Sequence, residues 1–267
     1  MTSGSARQKK HYENVHEVYK DHYYDETSMS YRRKFIYDPA LSGLDLNGLR
    51  VADLACGSGA GSLEVLRRFP RAQISGFDIS EKAIADYRQT GLPAYSFDLT
   101  EPMRTTELQA QFDVAMIFGG LHHCVTQLET TLQSIAAMIK PGGTLIMMEP
   151  NLFFMRSVRR FWYRIDPSFD SPTEDGLSHK AIHGLVSNLF DVEMVTHLGG
   201  AGYFFILQSM ILRIPKLIKR KLAPPLMIFD ARSSNDFRIR PPKEALRKCT
   251  RSVQRSPLRR NINELSP

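Results

Sequence analysis

Short apolar runs punctuate the first half of the chain, and each ends in an acid or a glycine-bearing turn. Strands are expected near 50–55, 72–78, 94–98, 112–118 and 143–149. Between them apolar residues recur at helical spacing near 60–69, 80–90 and 126–139, as Leu63, Val65, Leu66 and Phe69 do. Such alternation builds an α/β domain, a mostly parallel sheet with helices on both faces. A further helix near 178–189 leads to an apolar run from Val192 to Leu198. The turn Gly199-Gly200-Ala201-Gly202 is short enough to return that run as a hairpin through Tyr203-Phe204-Phe205-Ile206-Leu207.

The joint at 51–59, Val-Ala-Asp-Leu-Ala-Cys-Gly-Ser-Gly, carries the most information about chemistry. It reads as strand, tight turn and helix start, where glycines let a ligand approach the backbone and first-turn N–H groups face outward. A dinucleotide fingerprint aligned on Gly57 and Gly59 wants its third small residue at 62, where Ser62 stands; aligned on Gly59 and Gly61 it meets Glu64. No Gly-Lys-Ser/Thr triplet follows, so a phosphate-cradling loop is excluded. An acid, Asp53, four residues ahead of a Gly-x-Gly pair resembles the first motif of class I S-adenosylmethionine-dependent methyltransferases, as in the small-molecule (type 11-like) members. The resemblance extends through Asp78-Ile79-Ser80, Asp98-Leu99, Phe118-Gly119-Gly120 and the Lys140-Pro141-Gly142-Gly143 turn, and covers roughly residues 29 to 210. It implies a Rossmann-like, seven-stranded, mostly parallel sheet with an antiparallel last strand.

It also implies site residues. The first turn, Asp53, Ala55, Cys56, Gly57 and Gly59, would carry the cofactor, with Ala55 departing from the family's more frequent glycine. Asp78, 21 residues after Gly57, would accept hydrogen bonds from the ribose, and Ile79 would pack on the adenine. Asp98, beside Leu99, would meet the adenine amino group, while Phe118 and Gly119 would close the wall. Tyr31-Arg32, in a tyrosine-rich N-terminal stretch, would suit the methionine carboxylate. Each acid could instead cap the following helix. On the acceptor side His122 and His123 are candidate bases or hydrogen-bonding groups, and Glu149 is a third; capping and backbone binding are their competing roles.

Residues 1–45 are expected to form a helical cover over the cofactor and 46–212 the core. An insertion near 151–177, rich in aromatics and arginines, is expected to cover the substrate side or to pack on the core. Charge divides the rest. From Arg213 onward there are 15 basic and four acidic residues, whereas the preceding 212 carry 20 and 24. The basic character therefore belongs to the C-terminal segments. Residues 213–237 read as a basic amphipathic extension, with Ile211, Ile214, Ile218 and Leu222 on one face and Arg213, Lys216, Lys219 and Arg220 on the other. That face either covers the core or, through 204–222, touches a membrane surface peripherally. Residues 238–267 carry nine basic residues, two acids and four prolines, and are expected to stay disordered. Nucleic acid is disfavoured as a partner, because the tail lacks interleaved aromatics that stack on bases.

Cys56, Cys124 and Cys249 share no metal-ligand spacing, so no metal site is expected, and the N-terminus has no apolar signal core, which points to the cytoplasm. The expected activity is methyl transfer from S-adenosyl-L-methionine to oxygen or nitrogen of a small or lipid-like molecule. A non-catalytic cofactor-binding module and a nicotinamide oxidoreductase are the alternatives.

Overall fold

The computed structural model describes residues 3–103, 106–149, 177–193, 195, 200–207 and 214–236. Strands β1 (Arg50–Leu54), β2 (Gln73–Asp78), β3 (Ala94–Ser96), β4 (Phe112–Phe118) and β5 (Ile139–Met148) form one sheet in the order β3-β2-β1-β4-β5, with every pairing parallel. The chain lays down β2 and β3 on one side of β1 and then crosses back to place β4 and β5 on the other. That reversal opens a crevice at the carboxyl ends of β1 and β4.

Both faces of the strands are buried, as a parallel sheet requires. Val51, Val114, Met116 and Ile146 enter one core layer with Val65 and Phe69 of α4 (Ala60–Arg68). Ala52, Leu54, Ala115, Ile117 and Leu145 enter the other with Leu132 and Ile135 of α6 (Leu128–Met138) and Val186 of α7 (His179–Val186). Burying each such aliphatic side chain contributes roughly 1.5–3 kcal/mol. A third, smaller cluster joins Ile84 and Tyr87 of α5 (Glu81–Arg88) to Ala94 of β3, and Ser80 caps that helix by accepting from the Ala83 N–H. The N-terminal part consists of α1 (Ser3–Tyr23), α2 (Glu26–Arg32), a π-helical turn Arg33–Tyr37 and α3 (Asp38–Leu41). The C-terminal helix α8 (Lys216–Asp236) packs on α2.

Two expectations are corrected. The sheet has five strands among the described residues, not seven, and all pair in parallel. The expected antiparallel strand at Tyr203–Leu207 is a π-helical turn, because the glycines before it dock on α8. Buried Asp230 accepts from the Gly202 N–H at 2.9 Å, and a Cβ on Gly200 would lie 2.4 Å from its carboxylate. An apolar run of five residues does not by itself distinguish strand from helix.

The second correction concerns α8. Its buried side is Lys219, Ala223 and Asp230, while Leu217, Ile218, Leu222 and Ile228 are exposed. The supposed polar-face Lys219 is inside because Asp25 (2.8 Å) and Ser28 (2.6 Å) receive its ammonium. A buried charge is tolerated when it is paired in this way. Among the described residues no helix is long and apolar enough to cross a membrane. The 151–177 insertion lies outside the described residues except for buried Leu177, as do Arg213, Phe237 and the whole 238–267 tail.

Candidate active site

The turn after β1 is built from left-handed backbone. Ala55 (φ +50°), Gly57 (+54°) and Gly59 (+90°) reverse the chain within five residues. A Cβ on Gly59 would meet the Tyr87 ring at 3.0 Å, so the turn lies flat on α5. Ala55 adopts a conformation that costs a non-glycine residue about 1–2 kcal/mol. Its methyl is accommodated because Gly120 opposite has none: a Cβ there would fall 2.4 Å from that of Ala55.

Asp53 sits beneath the turn, not in the crevice. It accepts from the Ser62 hydroxyl at 2.6 Å, and Ser62 in turn meets the Tyr87 hydroxyl at 2.6 Å. The residue that breaks the dinucleotide fingerprint thus ties α4 to β1. Burial pushes the Asp53 carboxyl up to about 7. Cys56 also turns inward, beside Ile84 and Tyr87.

A cavity of about 150 Å³ lies over the carboxyl ends of the strands. Its floor comes from Ala55, Gly57 and Ser58 after β1, Asp78, Ile79 and Ser80 after β2, and Phe97, Asp98, Leu99 and Thr100 after β3. Phe118, Gly119, Gly120, His123 and Cys124 close the β4 side. Ser5, Gln8, Tyr12, His16 and Lys20 of α1, with Tyr24, form the roof. These α1 positions follow helical spacing and present one polar face downward.

Both carboxylates are half used. Asp78 accepts the Gly57 N–H on Oδ2 and the Ser80 N–H on Oδ1, each at 2.9 Å. Burial raises its pKa, opposed by those N–H groups. Asp98 Oδ1 accepts from the Thr100 N–H (2.9 Å) and hydroxyl (2.6 Å). Asp98 Oδ2 is buried and has no hydrogen-bond partner. Leaving such an oxygen unmet costs about 1–3 kcal/mol, which a ligand N–H donor would recover.

The roof is fastened to α5. Asp86 accepts from Lys20 at 2.6 Å and meets His16 at 3.0 Å, and the two, Lys20 foremost, hold its carboxyl below the usual carboxylate range. Lys82 donates to the Glu13 carbonyl (2.7 Å) and Lys9 pairs with Glu81 (3.3 Å). On the opposite side the Tyr12 hydroxyl lies 2.8 Å from His123 Nε2.

The candidate bases sort themselves by contact. Glu149 accepts from the N–H groups of Gly120 (3.0 Å), Leu121 (2.7 Å) and His122 (3.2 Å), and from His122 Nδ1 at 2.8 Å. It clamps the turn Leu121–His123 and fixes the His122 ring, whose centroid is 3.8 Å from that of His123. His123 lines the cavity; His122 and Glu149 stand behind it.

Tyr31 and Arg32 are elsewhere. The Tyr31 hydroxyl, fully buried, donates to Asp230 of α8 at 2.7 Å. The Arg32 guanidinium lies 5.6 Å from the Tyr23 and Tyr24 ring centroids, and so backs Tyr24 without lining the cavity. Ser5, Gln8, His16, Lys20 and Asp86 escaped the sequence reading. The four on α1 follow one another at i+3 or i+4 or multiples of it as a polar face, and Asp86 is a polar position of α5; hydrophobic periodicity passes over both.

A parallel sheet with a switch-point crevice, two acids after β2 and β3 and a glycine turn after β1 define an α/β domain whose ligand crevice lies at the carboxyl ends of its strands. Residues 51–143 match the family described as a methyltransferase domain. Among curated proteins, a ubiquinone biosynthesis O-methyltransferase of Azoarcus sp. strain BH72 is 36% identical over 114 residues, covering 41% of this chain and 47% of that protein. A ubiquinone/menaquinone biosynthesis C-methyltransferase of Syntrophotalea carbinolica is 31% identical over 110 residues, covering 38% and 43%. The chain thus spans about half the length of these relatives. The fold is shared with the N-methyltransferase NodS of Bradyrhizobium japonicum, solved with S-adenosyl-L-homocysteine (TM-score 0.50, 15% identity, covering 70% of this chain and 91% of that one).

Proposed function

We propose that this protein transfers a methyl group from S-adenosyl-L-methionine to an oxygen or nitrogen of a small or lipid-like molecule. The observation that carries the reading is the pair of half-used acids, above all the buried, unmet Asp98 Oδ2. Asp78 has a remaining lone pair on each oxygen for ribose hydroxyls, and Asp98 Oδ2 suits the adenine amino group. Ile79 and Leu99 supply apolar surface for the adenine, and Ala55, Gly57, Ser58 and Gly119 leave room for the methionine part. The relatives act in quinone biosynthesis, which supports an acceptor of lipid character here.

When bound, S-adenosylmethionine supplies a methyl group already activated on a sulfonium, so the chain must chiefly align an acceptor lone pair with it. Orientation of this kind is worth up to about 7–11 kcal/mol of barrier. His123 and Tyr12 face the cavity on the β4 side and hold the acceptor there. For a hydroxyl acceptor the proton passes to the His123 imidazole, which the Glu149-anchored His122 ring supports from behind. His123→Ala is expected to lower kcat by roughly 10²–10⁴-fold while cofactor affinity holds. An unchanged kcat would remove His123 from the reaction.

Calorimetric titration tests the reading. One-site binding of S-adenosylmethionine and S-adenosylhomocysteine, with no heat from NAD, is expected. Preference for NAD would overturn it in favour of an oxidoreductase.

A further inference from the structure

Helix α8 leaves a basic, apolar face bare. Leu217 (65% exposed), Ile228 (55%), Ile218 (48%) and Leu222 (37%) point away from the core. Leu217, Lys221, Pro225 and Ile228 fall on one stripe at helical spacing, bordered by Ile218 and Leu222 on one side and Arg220 on the other. Singly exposed apolar residues are ordinary; four large ones in a single helix face, interleaved with cations, are not. From Lys216 to Phe229 the helix contains no acid, and Asp230, which follows, is buried.

We propose that this face docks on an anionic membrane surface. The aliphatic side chains would enter the headgroup boundary, and Arg220 and Lys221 would meet lipid phosphates. Charge selects this occupant. A second copy placed face to face would set Lys221 and Arg220 against like charges. Residues 238–267, with nine basic residues and two acids, carry the same sign as the face and would add to the attraction for anionic lipid. The helix is also tied to the cavity's roof. Lys216 pairs with Asp21 and Lys219 with Asp25, which flank Lys20 and Tyr24 of the lining. A docked α8 therefore holds that end of the cavity close to the lipid. The proposal goes beyond methyl transfer and stands independently of the acceptor.

The test is co-sedimentation of the full chain with phosphatidylcholine vesicles, with and without phosphatidylglycerol, at low and high salt. The chain is expected to bind the anionic vesicles, to ignore the neutral ones and to be released by salt. Leu217→Ser/Ile218→Ser/Ile228→Ser changes only exposed side chains, and should weaken partitioning by at least about tenfold with cofactor affinity unaltered. Arg220→Glu/Lys221→Glu, also exposed, should lose binding as well. Retained binding in either folded variant, no binding by the parent chain, or a dimer that the serine substitutions dissolve would each overturn the proposal.

Discussion

Residues at strand ends were legible because chemistry restricts them more than packing does. Asp78 and Asp98 terminate apolar runs, and both reach the cavity. Asp53 fits the same motif and yet serves the turn from below, since a side chain's direction is fixed by alternation along β1 and not by its place in a motif. Asp78→Ala is expected to weaken S-adenosylmethionine binding by ~1.5–3 kcal/mol, the cost of a lost charged hydrogen bond; calorimetry showing equal affinity would refute the ribose assignment. The Ala55–Gly120 contact yields a second expectation. Gly120→Ala should lower thermal stability, and Ala55→Gly in the same chain should restore part of it, because the 2.4 Å clash disappears. Additive effects in that double-mutant cycle would show the two positions uncoupled. The partner of the Tyr31 hydroxyl, Asp230, lies 199 positions away, and no local pattern announces it.

At the scale of elements, period and length located the five strands and the helices between them within a few residues. What failed was direction and partnership. The wheel set apolar against basic positions, but α8 begins at Lys216 and Asp25 and Ser28 draw Lys219 inward, so that Leu217, Ile218 and Leu222 face out. Helix α1 shows the converse, a polar surface that faces a cavity and so looks, in sequence, like a solvated face. Its attachment to α5 is testable. Asp86→Ala should speed tryptic cleavage within α1 and weaken cofactor binding, because the part-buried contacts of Lys20 and His16 are lost together. Because Lys20 and His16 depress the Asp86 carboxyl, the fastening is complete above the ordinary carboxylate pKa and is lost as pH falls through the lower, folded one. Protection of α1 that persists at strongly acidic pH would contradict this.

The whole molecule adds a pH dependence of opposite sign. The Asp53 carboxyl titrates near 7 when folded and near about 4 when unfolded, so its contribution is full below the lower value and declines as pH rises toward the upper. Asp53→Asn keeps an oxygen for Ser62 and should remove that decline, visible as a difference between the two melting curves that changes across this window; a constant difference would contradict the burial argument. The molecule also joins two regions of unlike charge, a near-neutral body and a basic C-terminal segment. The strand-end acids and the glycine turn could be placed from sequence in the former because they obey strand-and-turn geometry, whereas acceptor choice rests on surfaces with no transferable pattern. The most direct test of the central claim follows labelled methyl from S-adenosylmethionine into a cell extract, with organic–aqueous partition. Label in the small-molecule fractions, chiefly the organic one, that disappears with Asp78→Ala is the expected result. Cofactor bound with label transferred to neither fraction would contradict methyl transfer and leave a binding module.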